Sequence, residues 1–173
     1  MNRTHCGIET EKKYLIRMPD PSLLAQIAGF TSSEIEQIYL ADEKENETCR
    51  IRKRTKNGRT AYTKTKKTRI SAMSAVEEES VISADEYSRL SEKREKSSRP
   101  VLKKRLTFPY AGHLFEIDVY PFWKEVCVLE IELASEEEHI DFPPFLMVLA
   151  DLTGDPRYSN ASIAKSIPSL PQF

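Results

Sequence analysis

The chain has 173 residues, with 26 Lys plus Arg against 27 Asp plus Glu, for a formal net charge of −1. That length suits one domain with a real core, and 39% hydrophobic residues argue against a disordered chain. No apolar run approaches the ~20 residues of a membrane helix, and Met1 to Cys6 lack the apolar centre of a signal peptide. Cys6, Cys49 and Cys127 lie far apart without a CxxC pair, which speaks against a disulfide scaffold or zinc finger and for reduced thiols in a cytoplasm. With three histidines (His5, His113 and His139), a His-rich metal site is not expected.

In chain order, period-two alternation predicts strands over Ile8–Ile16, Glu36–Leu40, Cys49–Arg54, Ala61–Lys67, Val76–Ile82, Leu102–Phe108, Leu114–Tyr120 and Val126–Leu133. Asn57-Gly58 and Ala111-Gly112 read as hairpin turns. Asp20-Pro21, followed by Leu23, Leu24, Ile27 and then Gly29, has the capping order of a short helix. Ser83 to Glu86 is a capping box that opens a second helix carrying Tyr87 and Leu90. Phe145, Leu146, Leu149 and Leu152 mark a third after Pro143-Pro144, and a last one begins near Ser159 or Asn160. Eight strands and three or four helices make an α+β chain of mostly antiparallel strands. No linker or repeat divides it, so one domain over 1–173 is expected, with a helical tail from about 153.

The near-neutral total hides strong local asymmetry. Arg50 to Arg69 carries ten Lys or Arg and no acid, whereas Glu125 to Asp141 carries seven acids and no Lys or Arg. A nucleic-acid binder usually shows the first without the second. Within strands, positions i and i+2 share a face about 6.6 Å apart at ~3.3 Å per residue. On that reading the strands present, in turn, Glu9, Glu11 and Lys13; Arg50, Arg52 and Arg54; Lys64 and Lys66; Glu77 and Glu79; Lys103 and Arg105; Glu116 and Asp118; Glu130 and Glu132. On most strands the alternate positions are apolar. An ordinary solvated sheet face normally mixes signs, because like-charged neighbours repel. Like charges repeated on strand after strand are tolerable where a counter-charge fills the gap. The pattern therefore implies a closed eight-stranded antiparallel β-barrel with a charged lumen, an apolar exterior and a few flanking helices. Carboxylates on one part of a lumen and Arg or Lys on another suit a metal–polyphosphate ligand.

These residues carry a resemblance. Glu9-Thr10-Glu11-Lys12-Lys13 is similar to the ExExK signature of the CYTH superfamily, the triphosphate tunnel metalloenzymes. The likeness continues in order through Gln37–Leu40, Arg50-Ile51-Arg52, Thr63–Lys66, Glu77-Glu78-Glu79, Lys103-Lys104-Arg105, Glu116-Ile117-Asp118, Glu130-Ile131-Glu132 and the tail Leu152–Asn160. Ala75 departs from it, since small members often place an Arg two residues before the Glu77-x-Glu79 pair.

The resemblance implies an inorganic triphosphatase-like hydrolase that acts on phosphoanhydride bonds with Mg²⁺ or Mn²⁺. Glu9, Glu11, Glu130 and Glu132 would form the metal site, with Glu77, Glu79, Glu116 and Asp118 as further ligands or as anchors for neighbouring cations. The alternative for all eight acids is neutralisation of the basic strands. Arg50, Arg52, Lys66, Lys103 and Arg105 would clamp phosphates, since Arg pairs bidentately and Lys acts as a point charge. Lys64 and Arg157 are further phosphate candidates, the latter set against a capping or ion-pair role. Lys13, with Glu9 and Glu11, would be catalytic, orienting the attacking water or holding the terminal phosphate. The histidines lie outside the charged faces and are assigned nothing. Expected, then, are a small-molecule triphosphate as partner, a monomer or homodimer, no membrane and a cytoplasmic location. Nucleoside triphosphate hydrolysis and adenylate cyclisation are alternatives within the family. A polyphosphate- or RNA-binding module without activity is the alternative outside it, disfavoured because Tyr62 is the one aromatic in the basic run.

Overall fold

The computed structural model describes residues 4–41 and 47–171. Its strands are β1 (Thr4–Arg17), β2 (Thr31–Tyr39), β3 (Glu47–Lys56), β4 (Arg59–Arg69), β5 (Ser74–Val81), β6 (Val101–Tyr110), β7 (His113–Val119), β8 (Val126–Leu133) and β9 (Val148–Asp151). They form one antiparallel sheet in the order β5-β4-β3-β2-β6-β7-β8-β1-β9, closed by a further pairing of β1 with β5. The closing strand is β1, long enough at 14 residues to serve two neighbours in succession. Thr4–Thr10 pairs with β5, while Thr10–Arg17 pairs on the opposite edge with β8. Where β5 ends, β9 takes over the vacated edge opposite Tyr14–Ile16. Eight strands therefore close the barrel and the ninth patches its seam.

Local chemistry sets the turns and the helices. The β3–β4 and β6–β7 hairpins turn on Asn57-Gly58 (φ 51° and 74°) and Ala111-Gly112 (φ 47° and 84°). Positive φ at both central residues is the turn whose twist matches that of the flanking strands. Asp20 caps α1 (Pro21–Leu24) by accepting the Ser22 N–H, and Ser83 caps α2 (Ala84–Ser91) by accepting the Glu86 N–H. After a 3-10 turn at Pro156–Tyr158, Ser159 caps α3 (Asn160–Lys165). The helix expected across Phe145 to Leu152 is instead the strand β9. Its apolar residues do not share one face: Leu146 packs in the cluster outside the barrel, and Leu152 in the cluster at its end. The unpaired backbone of β1 beyond Thr10 supplies donors and acceptors that a helix would leave unsatisfied.

Because alternate residues point inward and outward, the main apolar core lies outside the barrel. Ile16, Phe108, Phe115, Ile117, Leu129 and Ile131 are buried there with Leu24 of α1 and with Ile140 and Leu146 of the β8–β9 connection. A smaller cluster of Ile38, Leu40, Ile51 and Ile82 lies under Tyr87 of α2. At one end the inward residues turn apolar. There Leu15, Val101, Tyr120 and Val128 pack against Tyr158, Ile163 and Ala164, so that the 3-10 turn and α3 plug the barrel. Above the plug lies a cavity of about 490 Å³ with a charged lining. Among the described residues no helix is long and apolar enough to cross a membrane.

The loop after β9 borders this cavity and is tied to β1. The Leu152 N–H donates to the Lys13 carbonyl (2.8 Å) and the Lys13 N–H to Thr153 Oγ1 (3.1 Å). Gly154 in this loop has φ +74°, and a Cβ there would lie 2.9 Å from the Cβ of Ala72. Gly58 has the same φ with nothing within 4 Å. Left-handed backbone costs a side-chain-bearing residue about 1–2 kcal/mol, or several degrees of Tm at this size. Calorimetry of Gly154→Ala and Gly58→Ala should show a loss in both and a clearly larger one at 154. Equal losses would mean that the Ala72 contact is relieved at no cost.

Candidate active site

Directly opposed residues on paired strands point to the same side of a sheet. The registers Arg105↔Asp118, Glu116↔Glu130, Lys13↔Glu130 and Glu11↔Glu132 therefore bring four strands' charges to one face. Arg52 opposite Gln37, and Arg50 opposite both Tyr39 and Thr65, continue that face across β2, β3 and β4. Of the expected residues, Glu9, Glu11, Lys13, Arg50, Arg52, Glu77, Glu79, Lys103, Arg105, Glu116, Glu130 and Glu132 line the cavity, and Asp118 is fully buried among them.

Three expectations about placement are corrected. Lys64 and Lys66 point outward. Lys64 lies opposite the buried exterior residue Ile51, and Lys66 pairs with Glu47 at 3.0 Å. The inward residues of β4 are Thr63, Thr65, Lys67 and Arg69, and the last two line the cavity. In the run Thr-Lys-Thr-Lys-Lys the alternation fits either face, and only pairing with β3 and β5 chooses. Arg157 does not reach the lumen: it is exposed, forks onto Asp155 and lies over the Tyr158 ring. His5, assigned to no charged face, lines the cavity opposite Glu79 because β1 extends beyond its apolar alternation. Tyr39, which reads from the sequence as a packing residue of the wall, lines the cavity, and so does Asn160, to which the sequence assigns no role.

The lumen charges divide into two sets. In the first, Arg105 donates from Nε and Nη2 to the two Asp118 oxygens (2.7 and 2.8 Å) and contacts Glu116 and Glu130 as well. Lys13 Nζ lies 3.0 Å from Glu130 and 3.7 Å from Glu11. Lys103 pairs with Asp118 and lies 3.4 Å from Asn160 Oδ1, which also accepts the Tyr120 hydroxyl at 2.7 Å. Burial works against the Lys13 charge, yet Glu130 and Glu11 outweigh it and hold the ammonium above its usual range. Glu130 and Asp118 are correspondingly held down by these cations despite their burial. Burial, with Arg105 and Arg52 close by, pushes Lys103 down to about 8 against the pull of Asp118.

The second set is unbalanced. Glu77 takes Lys67 at 2.8 Å and Arg50 at 3.5 Å, and Glu79 accepts from Thr65 Oγ1 at 2.8 Å. Arg54 Nε donates to Ser33 Oγ at 3.1 Å. Arg52 has no ion pair or side-chain hydrogen bond among the described residues, and its Nε is buried without a partner. Burial and the nearby Arg50 and Arg105 push it down to about 10. Across the lumen, burial and then the Glu77 and Glu132 charges push the Glu9 carboxyl up to about 7. As they stand, no three His, Cys, Asp or Glu side chains among the described residues are grouped as around a metal ion.

No protein-family model and no curated protein sequence matches the chain. Among solved structures, that of the inorganic triphosphatase NE1496 is similar over 93% of this chain and 97% of its own, at 26% identity and a TM-score of 0.58. A conserved hypothetical protein of Pyrococcus furiosus shares the fold at 18% identity and a TM-score of 0.57, over 75% of this chain and 80% of its own. HpAC1 of Hippeastrum, an adenylyl cyclase candidate described by a dominant triphosphatase activity, shares it at 16% and 0.50, over 74% and 81%. The closed eight-stranded barrel, the charged lumen and the likeness to the inorganic triphosphatase are consistent with a member of the CYTH superfamily, the triphosphate tunnel proteins.

The Glu9 shift has a measurable sign. Between about pH 4.5 and 7 the folded chain keeps a proton on Glu9 that the unfolded chain has released. Stability contributed by this group therefore falls as pH rises through that window. Carboxyl ¹³C NMR of the metal-free protein should give Glu9 a midpoint near 7. Glu77→Gln should lower that midpoint without restoring the ordinary value, since burial remains. A Glu9 midpoint at the usual carboxylate value would show the lumen to be well hydrated.

Proposed function

We propose that the chain is a metal-dependent triphosphatase whose substrate is inorganic triphosphate, cleaved to pyrophosphate and phosphate. The observation that carries this reading is Arg52, a guanidinium inside the barrel beside Arg50 and Arg105 with no carboxylate of its own. An unpaired buried cation is costly. An anion with several oxygens in the lumen would relieve it, and Arg suits phosphate bidentately. Arg50, Arg52 and Lys103 are the clamps in this reading, with Lys67 added from β4. Arg105, tied to three carboxylates, shapes the site more than it grips the substrate.

The chemistry of the acids fits Mg²⁺ or Mn²⁺. Glu9, Glu11 and Glu132 make no ion pair with Arg105 among the described residues. Of the causes that push Glu9 up, burial first and then the Glu77 and Glu132 charges, a divalent cation offsets the second. When bound, such an ion neutralises phosphate oxygens and makes a water more acidic. Glu9, Glu11 and Glu132 would hold it, with Glu77 alongside, while Glu116, Asp118 and Glu130 keep the neighbouring cations in place. Lys13 is held protonated by Glu130 and Glu11, so it serves as a charge on the terminal phosphate or a donor to the attacking water, and not as a base. Such transfer is catalysed chiefly by positioning and by charge stabilisation, for which this preformed lining is suited. Inorganic triphosphate is favoured over a nucleotide because Tyr39 is the one Phe, Tyr or Trp lining the cavity among the described residues, and its hydroxyl is engaged by Gln37. Cations that face inward also disfavour an RNA-binding surface.

Phosphate release from inorganic triphosphate, ATP and pyrophosphate, assayed with and without Mg²⁺, tests the reading. Activity is expected on the first and should vanish with EDTA while the circular dichroism spectrum is unchanged; turnover in metal-free buffer would refute it. The two charge classes should also separate kinetically. Glu11→Gln should lower kcat by more than about tenfold and raise the Mg²⁺ requirement, whereas Arg52→Ala should chiefly raise KM. Identical effects from both would refute this division of labour.

A further inference from the structure

Arg69 ends β4 on the inward face, four residues beyond the Thr65 that opposes Arg50, and lines the cavity at its rim. It is exposed, and among the described residues it has no ion pair or hydrogen bond from its side chain. In the register Arg69 lies opposite Ala75 of β5, and Ala75 lies opposite Glu9 of β1. With strands about 4.8 Å apart, the Arg69 and Glu9 backbones are about 10 Å apart with only a methyl group between them. A guanidinium on its three-carbon stem can cross that gap. Like charge also gathers here: Arg50 and Lys67 share Glu77, and Arg69 adds a further cation that is paired with no acid among the described residues. Such an accumulation resists collapse onto the wall and favours an anion in the mouth.

We propose that Arg69 is a further substrate-binding residue, which reaches over Ala75 to take the mouth-side phosphate of a condensed phosphate chain held deeper by Arg50 and Arg52. The small side chain at 75 is what leaves Arg69 room to swing in. This rests on the triphosphate reading of the lumen. It assigns to Arg69 a share of the affinity and none of the bond-breaking, because the contact is to a phosphate at the rim.

The test compares wild type, Arg69→Ala, Arg69→Lys and Arg52→Ala by steady-state kinetics on inorganic triphosphate with Mg²⁺. A second readout, independent of turnover, is the Tm rise produced by triphosphate in EDTA. Arg69→Ala should raise KM by about fivefold or more with kcat within about twofold, shrink the triphosphate-induced Tm rise and leave the ligand-free Tm unchanged. Arg69→Lys should recover part of both effects. A KM and a Tm response equal to wild type would overturn the assignment, leaving Arg69 a solvated rim cation. A defect that disappears at about 0.5 M salt would also overturn it, since long-range steering is screened there while a direct contact is screened less. Absence of any triphosphate response in wild type would instead refute the function of the lumen. Loss of the response in Arg52→Ala but not in Arg69→Ala would leave that function standing and remove only Arg69.

Discussion

Enclosing charge within a wall of eight strands is the constraint on which the rest of this molecule depends. Away from bulk water an unpaired ion costs several kcal/mol, so every lumen charge must find a partner, shift its protonation or await a ligand. The Arg105 network takes the first course, with Asp118 gripped from two guanidinium nitrogens and Lys13 and Lys103 completing the set. Glu9 takes the second, its carboxyl pushed up to about 7. Arg52 takes the third. The satisfied part makes a rigid frame, and the unsatisfied part is where binding a highly charged anion and its cation gains most.

A polar interior turns the usual arrangement inside out. The barrel's main hydrophobic core lies on its exterior, so the sheet cannot stand bare in water. Leu24 of α1, Tyr87 of α2 and the Ile140–Leu146 stretch exist to cover Phe108, Phe115, Ile117 and Ile51. Helix brevity follows, because each helix need only cover a patch. The plug of Tyr158, Ile163 and Ala164 answers a second need: at the end of the barrel the inward residues become apolar and require a lid from within the chain. Tail and lumen meet at Asn160, whose amide oxygen takes both the Tyr120 hydroxyl and the Lys103 ammonium.

Much of the site was legible because strand alternation is a strong code where the sets of charges are unmixed. Glu9, Glu11, Arg50, Arg52, Lys103, Arg105, Glu130 and Glu132 all stand at the positions that simple i, i+2 counting assigned. Counting failed where the residue types gave no contrast. In β4 both parities offered a Lys, and the choice of Lys67 over Lys66 came from hydrogen bonds to β3 and β5. It failed also at the strand ends, where His5 precedes the apolar alternation and Arg69 follows the last apparent strand residue. The grouping of the acids was not legible at all, since it depends on which carboxylate lies across the lumen from which cation.

The sequence by itself determined the eight barrel strands, the two hairpin turns and the capped starts of α1, α2 and α3, because each rests on a local signal: side-chain alternation, positive φ at a turn, or a cap acceptor within three residues. It also determined that like charges would share faces, and hence that the sheet would be closed. Only the tertiary structure decided that residues 148–151 are a strand, since the reason lies in the open edge of β1, more than 130 positions away. The same holds for the division of the acids between the Arg105 frame and the unbalanced set, and for the gap over Ala75 that joins Arg69 to Glu9. These are consequences of register and closure, and register is a relation between strands that no single stretch of chain contains.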